Sequence, residues 1–316
     1  MTSFSAKDWP IGAALLQFPP YTESGHSVQD EPPTGWAAVF DEVRHAGFDH
    51  VDLTDTWLRP GDLTEVRVKE LRTVIEDCGL GITAISTVRR SVIDPDPGAA
   101  MANIEYLRRT IDAAATLGTG IVSVGLHRAL TPAQEAAEWF WLEPGAQDTV
   151  GDEETWALAV ERLRDLGDYA AAAGLLLSLE LYEDTYLGTT ASAVRLVTDI
   201  AHPTVGLNPD VGNLIRAHRP IESWEEILRQ TLPLSNYWHI KNYYRSHDPR
   251  TGAYFTTPAA ASAGLINYRR AIDIAVKCGF DGPLCMEHYG GDGLTRAADN
   301  RDYVRRLLAE KLGENA

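Results

Sequence analysis

SLELYEDTYLGTTASAVRLVTDIAHPTVGLNPDVGN, residues 178–213, reads as strand, helix, strand. The first apolar run closes on Glu180 and the second on Asp210. Between them Ala193, Leu196, Val197 and Ile200 recur at the spacing of one buried helical face. A βαβ crossover is right-handed and leaves its two strands parallel, with their carboxyl ends at the same edge of the sheet. Glu180 and Asp210 therefore face one space, and two converging acids there suggest a metal or proton-transfer site.

Outward from this unit the same alternation runs along the chain. Apolar runs at 11–18, 48–55, 80–87, 120–125, 175–180, 204–210, 234–242 and 283–289 read as eight strands. Helical patterns lie between them: Trp36, Val39, Phe40 and Val43; a segment at 64–78 closed by Gly79; Ile104, Leu107, Ile111 and Ala114; Trp156, Val160, Leu163 and Leu166; 222–231; Leu265, Tyr268, Ile272 and Val276; and 294–312. A long connection, 127–155, follows the fourth strand. Eight strands alternating with eight helices over 1–316, with no linker or composition break, predict a single-domain α/β fold, a (β/α)8 TIM barrel. No G-x-G-x-x-G follows the first strand and no G-x-x-x-x-G-K-[ST] occurs, so neither a dinucleotide site nor a P-loop is indicated.

Composition narrows the partners. With 45 acidic and 28 basic residues the net charge is −17, which repels nucleic acid and anionic lipid. Cys78, Cys278 and Cys285 are odd in number and unpaired by spacing, so no disulfide framework or thiolate zinc site is expected and a reducing, cytoplasmic setting fits. The opening MTSFSAKDWPIG lacks the features of a secretory leader. No window approaches the roughly 18 apolar residues of a membrane span.

Barrel chemistry sits at the carboxyl ends of the strands. There the second strand delivers Asp52 and Asp55, the fourth His127, the fifth Glu180 and Tyr182, the sixth Asp210 and Asn213, the seventh His239 and Lys241, and the eighth Glu287 and His288. Glu180, Asp210, His239 and Glu287 occur once each on four successive strands. Three carboxylates and an imidazole form a hard, oxygen-rich set that suits one divalent ion, Mn²⁺ first, with Mg²⁺, Co²⁺ or Zn²⁺ compatible. Asp210 reads equally well as a helix N-cap. Lys241 reads as a base or as a counter-charge to the acids, and His127 as a base or a hydrogen-bonded wall residue.

The series S-L-E, N-P-D-V-G-N, W-H-I-K-N-Y-Y-R and M-E-H resembles the sugar isomerase/epimerase superfamily of xylose isomerase-like barrels, over nearly the whole chain. The resemblance implies that Glu180, Asp210, His239 and Glu287 bind one divalent metal. It also implies that Glu180 and Glu287 move protons beside a sugar carbonyl and that Arg245, six residues after His239, contacts substrate. Two positions depart from the pattern: Asn213 stands where D-x-x-H members carry His, and Tyr186 where ketose 3-epimerases carry a Glu. Both losses speak against a plain ketose 3-epimerase.

The long connection carries Trp139, Phe140 and Trp141 in a row, with Tyr182 and Tyr186 on the next loop. Such rings either pack together or offer faces to a flat aglycone. His288 is placed to touch substrate. The altered D-x-x-N, the extra His127 and the aromatic loop together resemble the α subunit of C-glycoside deglycosidases. That resemblance implies β-elimination from a 3-oxo-glycoside and a small β-rich partner subunit. The alternative is an isomerase, epimerase or dehydratase of a keto-sugar or cyclitol; assembly as a homo-oligomer is also compatible. A non-catalytic sugar-binding barrel would not need the metal set, and a DNA-repair nuclease on this barrel would need a basic groove.

Overall fold

Each apolar run of the sequence becomes a short strand whose inward residues alternate with residues facing the helical shell. The computed structural model describes residues 4–314. In chain order its elements are β1 (Ile11–Ala14), α1 (Pro33–His45), β2 (His50–Thr54), α2 (Glu65–Asp77), β3 (Gly81–Ser86), α3 (Pro97–Leu117), β4 (Ile121–Val124), α4 (Pro132–Ala136), α5 (Glu153–Ala172), β5 (Leu176–Glu180) and α6 (Thr190–Ile200). There follow β6 (Val205–Asn208), α7 (Val211–Ile215), α8 (Trp224–Thr231), β7 (Trp238–Ile240), β8 (Asn242–Asp248), β9 (Ala253–Ala259), α9 (Tyr268–Cys278), β10 (Leu284–Met286) and α10 (Gly293–Leu312).

Eight strands pair in parallel in the order β6-β5-β4-β3-β2-β1-β10-β7. The two ends of that order meet at one bridge, Leu207 to Ser235, beside a 3.2 Å bond from Asn236 N to Leu207 O. The sheet is thereby a nearly closed barrel, as the alternation predicts. Helix starts follow local chemistry: the side chains of Thr64, Asp96, Asp152, Asn267 and Asp292 each accept from a backbone N–H of the first turn. The helical shell packs through fully buried faces such as Trp36, Phe40 and Val43 of α1. Burying each side chain of this kind contributes about 1.5–3 kcal/mol. Inside the barrel a small group, Ala14, Ala84, Ile121, Tyr237 and Cys285, forms the floor on which the polar residues above it rest.

Three features depart from the expected eight-and-eight plan. The connection at 127–155 is not bare loop but holds α4 and a 3-10 turn at Phe140–Leu142. A short α7 precedes α8, because Asp210 caps it. The segment after β7 turns back as the antiparallel hairpin β8–β9, with Tyr244 opposite Thr257 and Ser246 opposite Phe255. Its turn, D-P-R-T-G, ends on Gly252 at φ 72°, a conformation glycine adopts without steric cost. Leu265 falls before α9 rather than on it. Among the described residues no helix is long and apolar enough to cross a membrane.

Candidate metal centre

Glu180 is the last residue of β5, Asp210 caps α7 just beyond β6, His239 lies within β7, and Glu287 follows β10. These four strands are neighbours round the wall, so their carboxyl ends deliver the side chains to one point. One ligand atom from each lies within 4.8 Å of the others. His239 Nδ1 is 3.1 Å from Glu287 Oε2 and 3.6 Å from both Glu180 Oε1 and Asp210 Oδ2. Adjacent donors round a six-coordinate ion at roughly 2.1 Å stand about 3 Å apart, so the cluster has the dimensions of one coordination sphere.

A layer beneath the cluster orients it. Ser86 Oγ donates to Asp52 Oδ2 at 2.7 Å and also lies 3.2 Å from His239 Nε2. Its proton being spent, Ser86 can only accept there, which puts the imidazole proton on Nε2 and leaves the Nδ1 lone pair facing the acids. Asp52 also takes Tyr237 Oη at 2.6 Å and Thr54 Oγ1 at 2.9 Å. Asp52 and Cys285 lie within reach of His239, but those three donors occupy the carboxylate and burial holds the thiol protonated. Asp52 is therefore a support rather than a ligand. Asp210 caps α7, Oδ1 accepting from Asn213 N at 3.3 Å, while Oδ2 faces the cluster.

Lys241 Nζ lies 2.8 Å from Asp210 Oδ2 and 2.6 Å from Glu287 Oε1. Without a cation, its acidic neighbours raise His239 well above its ordinary value despite burial, and three carboxylates against that imidazolium and the Lys241 ammonium still leave net negative charge in a buried space. Burial of charge on this scale is tolerated only with compensation. A divalent cation supplies that compensation, so the residues fit the metal. Burial would raise all three acids. It prevails at Asp210, pushed up to about 6 despite Lys241, with Glu287 and Glu180 as like charges nearby. At Glu180 the bonds and charge of His239, then His127 and Lys241, overcome burial and draw the carboxyl down to about 2. Lys241 and His239 likewise hold Glu287 low.

His127 is buried and stacks on Tyr182 at 4.2 Å. Burial lowers its imidazole to about 3; Glu180 opposes this and Arg89, Arg216 and Lys241 reinforce it, so the ring is neutral at pH 7. A Cβ on Gly125 would sit 2.4 Å from its Nδ1, so glycine leaves the ring its place. Asn213 Nδ2 donates to Glu180 Oε1 at 3.0 Å and Leu181 O at 2.9 Å, holding Glu180 from behind.

The aromatic run forms a roof. Trp139 stacks on Trp141 at 5.0 Å, Phe140 meets Trp141 edge-on at 5.2 Å, and Trp141 lies 5.4 Å from Tyr243 and 5.5 Å from Tyr289. The rings engage one another rather than standing open at the rim. Tyr186 is drawn away to pack on Trp156 at 5.0 Å, its hydroxyl on Thr149 O at 3.2 Å. Arg245 is likewise not gathered into the site: its guanidinium donates to the carbonyls of Ile215, at 2.8 Å, Ala217 and Arg219, bracing β8 against that turn. His288 lies half-buried in the fields of Arg296 and Glu287.

The guanidinium at the mouth is Arg216. It is fully buried, binds Glu183 through Nε at 2.8 Å and Nη2 at 3.0 Å, and lies over Phe140 at 4.7 Å, Tyr182 at 5.1 Å and Trp141 at 5.2 Å. Nothing in I-R-A-H-R-P distinguishes it from a surface arginine; it is buried only because α7 turns the chain back over the barrel.

With this geometry in hand, similarity to known proteins becomes informative. A xylose isomerase-like TIM barrel protein of Mycobacterium smegmatis, solved with magnesium, is 45% identical, with TM-score 0.92 over 98% of this chain and 99% of that one. The 3-keto-D-glucoside 4-epimerase of E. coli is 16% identical with TM-score 0.67, covering 94% and 99%, a likeness of fold. L-Ribulose-5-phosphate 3-epimerase of Salmonella paratyphi A is 20% identical over 285 residues, 87% of this chain and 90% of that one. The model of the family described as xylose isomerase-like TIM barrel matches residues 40–308, and the chain belongs to that family.

Proposed function

We propose that this chain is a divalent-metal-dependent isomerase or epimerase of a keto-sugar or keto-cyclitol, which removes a proton next to the carbonyl and returns it. The observation that carries this reading is the four-donor cluster, with Glu180 and Glu287 at the two ends of its arc of strands. A divalent ion held there, Mg²⁺ or Mn²⁺ by the hardness of the donors, would polarise a carbonyl and the neighbouring hydroxyl and stabilise charge developing on substrate oxygen.

The chain's own groups do the rest. Asn213 aims Glu180 and Lys241 aims Glu287, so each carboxylate is fixed in direction. Both are ionised at neutral pH and can accept a proton from carbon. Neutral His127, whose environment feels Glu180, is a further acceptor on the fourth strand. The aromatic roof keeps water from the deprotonated substrate. Both named relatives invert a carbon next to a carbonyl, the 3-position of a ribulose and the 4-position of a 3-keto-glucoside, and this supports the same step here. Elimination of an aglycone from a 3-oxo-glycoside would begin with the same proton removal. The roof's rings are engaged with one another rather than held open for an aglycone, which supports the epimerase reading over elimination.

The test is incubation of the Mg²⁺-loaded protein with free ketoses and 3-oxo-glucosides in D₂O. Deuterium at an epimerised carbon, lost in Glu287→Gln, is expected; aglycone release without epimer would establish the elimination, and no exchange with any substrate would remove the proposal.

A further inference from the structure

We propose that the cavity at the mouth lined by Arg89, His127, Trp141, Tyr182 and Glu183 receives a carboxylate, so that the substrate is an acidic sugar, a keto-uronate or related sugar acid; this deepens the epimerase reading and rests on it. Four buried polar atoms round the mouth have no well-formed hydrogen bond: Trp141 Nε1, His127 Nδ1, and Arg216 Nη1 and Tyr243 Oη, which lie close to each other. They belong to one group of contacts, since Arg216 lies over Trp141 and Tyr182, Trp141 meets Tyr243, and His127 stacks on Tyr182. Buried polar groups are normally paired, and several unpaired together mark where a ligand's atoms belong.

Their chemistry selects the ligand. Arg216 Nη1 and Trp141 Nε1 can only donate, and Tyr243 Oη can donate. The nearby carboxylate, Glu183, is already spent on Arg216 Nε and Nη2. A sugar hydroxyl would bring a proton of its own into a donor-rich corner, whereas a carboxylate brings only lone pairs. Charge counting agrees. At the mouth itself Arg216 with Glu183 sums to zero. Arg89, 4.8 Å from the Phe140 ring and bonded to Tyr182 Oη and Arg128 O, forms no ion pair among the described residues. One uncompensated positive charge matches a carboxylate and falls short of a phosphate dianion.

The experiment measures binding of D-glucuronate, D-glucose and D-glucose 6-phosphate, as unreactive probes, to the Mg²⁺-loaded protein by titration calorimetry and by Trp fluorescence. Glucuronate is expected to bind at least about tenfold more tightly than either competitor. Tyr243→Phe and Trp141→Phe, chosen because Arg216 itself is tied into the fold, should each weaken glucuronate about three- to tenfold while leaving glucose and Mg²⁺ affinity unchanged. Glucose or the phosphate binding as tightly, variants that weaken all three probes alike, or no binding of glucuronate would overturn the proposal. Proton exchange on neutral ketoses in D₂O would sustain the epimerase reading even then, so the two can fail separately.

Discussion

His239 Nε2 stands 3.2 Å from Ser86 Oγ, a hydroxyl whose own proton is already given to Asp52. The tautomer in which His239 would meet a metal is thus set from the second and third strands, across the barrel from His239 itself. Asp52→Asn puts an amide where the carboxylate accepted three donors and releases that constraint. Mg²⁺ affinity should fall about 10–100-fold while the far-ultraviolet spectrum is kept. Unaltered affinity by calorimetry would show that the network merely fills space.

The net negative charge buried in the cluster predicts that a metal stabilises the fold. A ligand that binds only the native state adds about 2.7 kcal/mol at a hundredfold excess over its Kd. The melting temperature should therefore rise with added Mg²⁺ and fall with EDTA. Glu180→Gln should blunt both responses; equal responses in wild type and variant would place the ion elsewhere.

Asp55 gives a pH signature away from the metal. Burial pushes its carboxyl up to about 6 from an ordinary 3.8, against the help of Val88 N, Arg90 and the Tyr106 hydroxyl. The folded state holds this proton more tightly than the unfolded one, so stability is present below pH 3.8 and is lost as pH rises through about 6. A carboxyl raised this far costs on the order of 3 kcal/mol once it must ionise in the folded protein. Asp55→Asn should gain about that much relative to wild type between pH 4 and pH 8 in urea melts. A constant difference between the two proteins would refute the assignment.

Arg245 binds three carbonyls of the 215–219 turn. Arg245→Ala should cost about 1–3 kcal/mol of stability by leaving buried acceptors unpaired, yet change KM less than about threefold. A large rise in KM at full stability would return this arginine to the substrate.

The barrel and the four-residue cluster at its mouth follow from patterns that physics makes local. Strand ends such as S-L-E and N-P-D put an acid where an apolar run stops, and that edge is fixed by the parallel crossover. What stayed hidden depends on contacts between distant residues. Arg216 looks like any loop arginine until α7 folds it under Trp141. Arg245 sits at the expected offset, but the β8–β9 hairpin, whose D-P-R-T-G turn was readable as a hairpin signal, carries it away from the mouth. Tyr186 has the right chemistry for a rim aromatic and is claimed instead by Trp156. Asn213 is the reverse case: its departure from the family pattern is explained by the bonds it makes to Glu180 and Leu181, which no spacing rule contains.

The joint where the barrel closes runs through its active centre. Every other neighbouring strand pair has at least two residues in register, whereas β6 and β7 share no ladder and are joined by the isolated bridge Leu207–Ser235 just before β7 and by single bonds, Asn236 N to Leu207 O and His239 N to Asn208 Oδ1. Asp210 extends from one side of that seam and His239 from the other. A cation held by both would act as a rivet across this thinly bonded seam. Amide exchange along Leu207, Asn236 and His239 should consequently slow on ion binding more than exchange in the β1–β4 half of the wall.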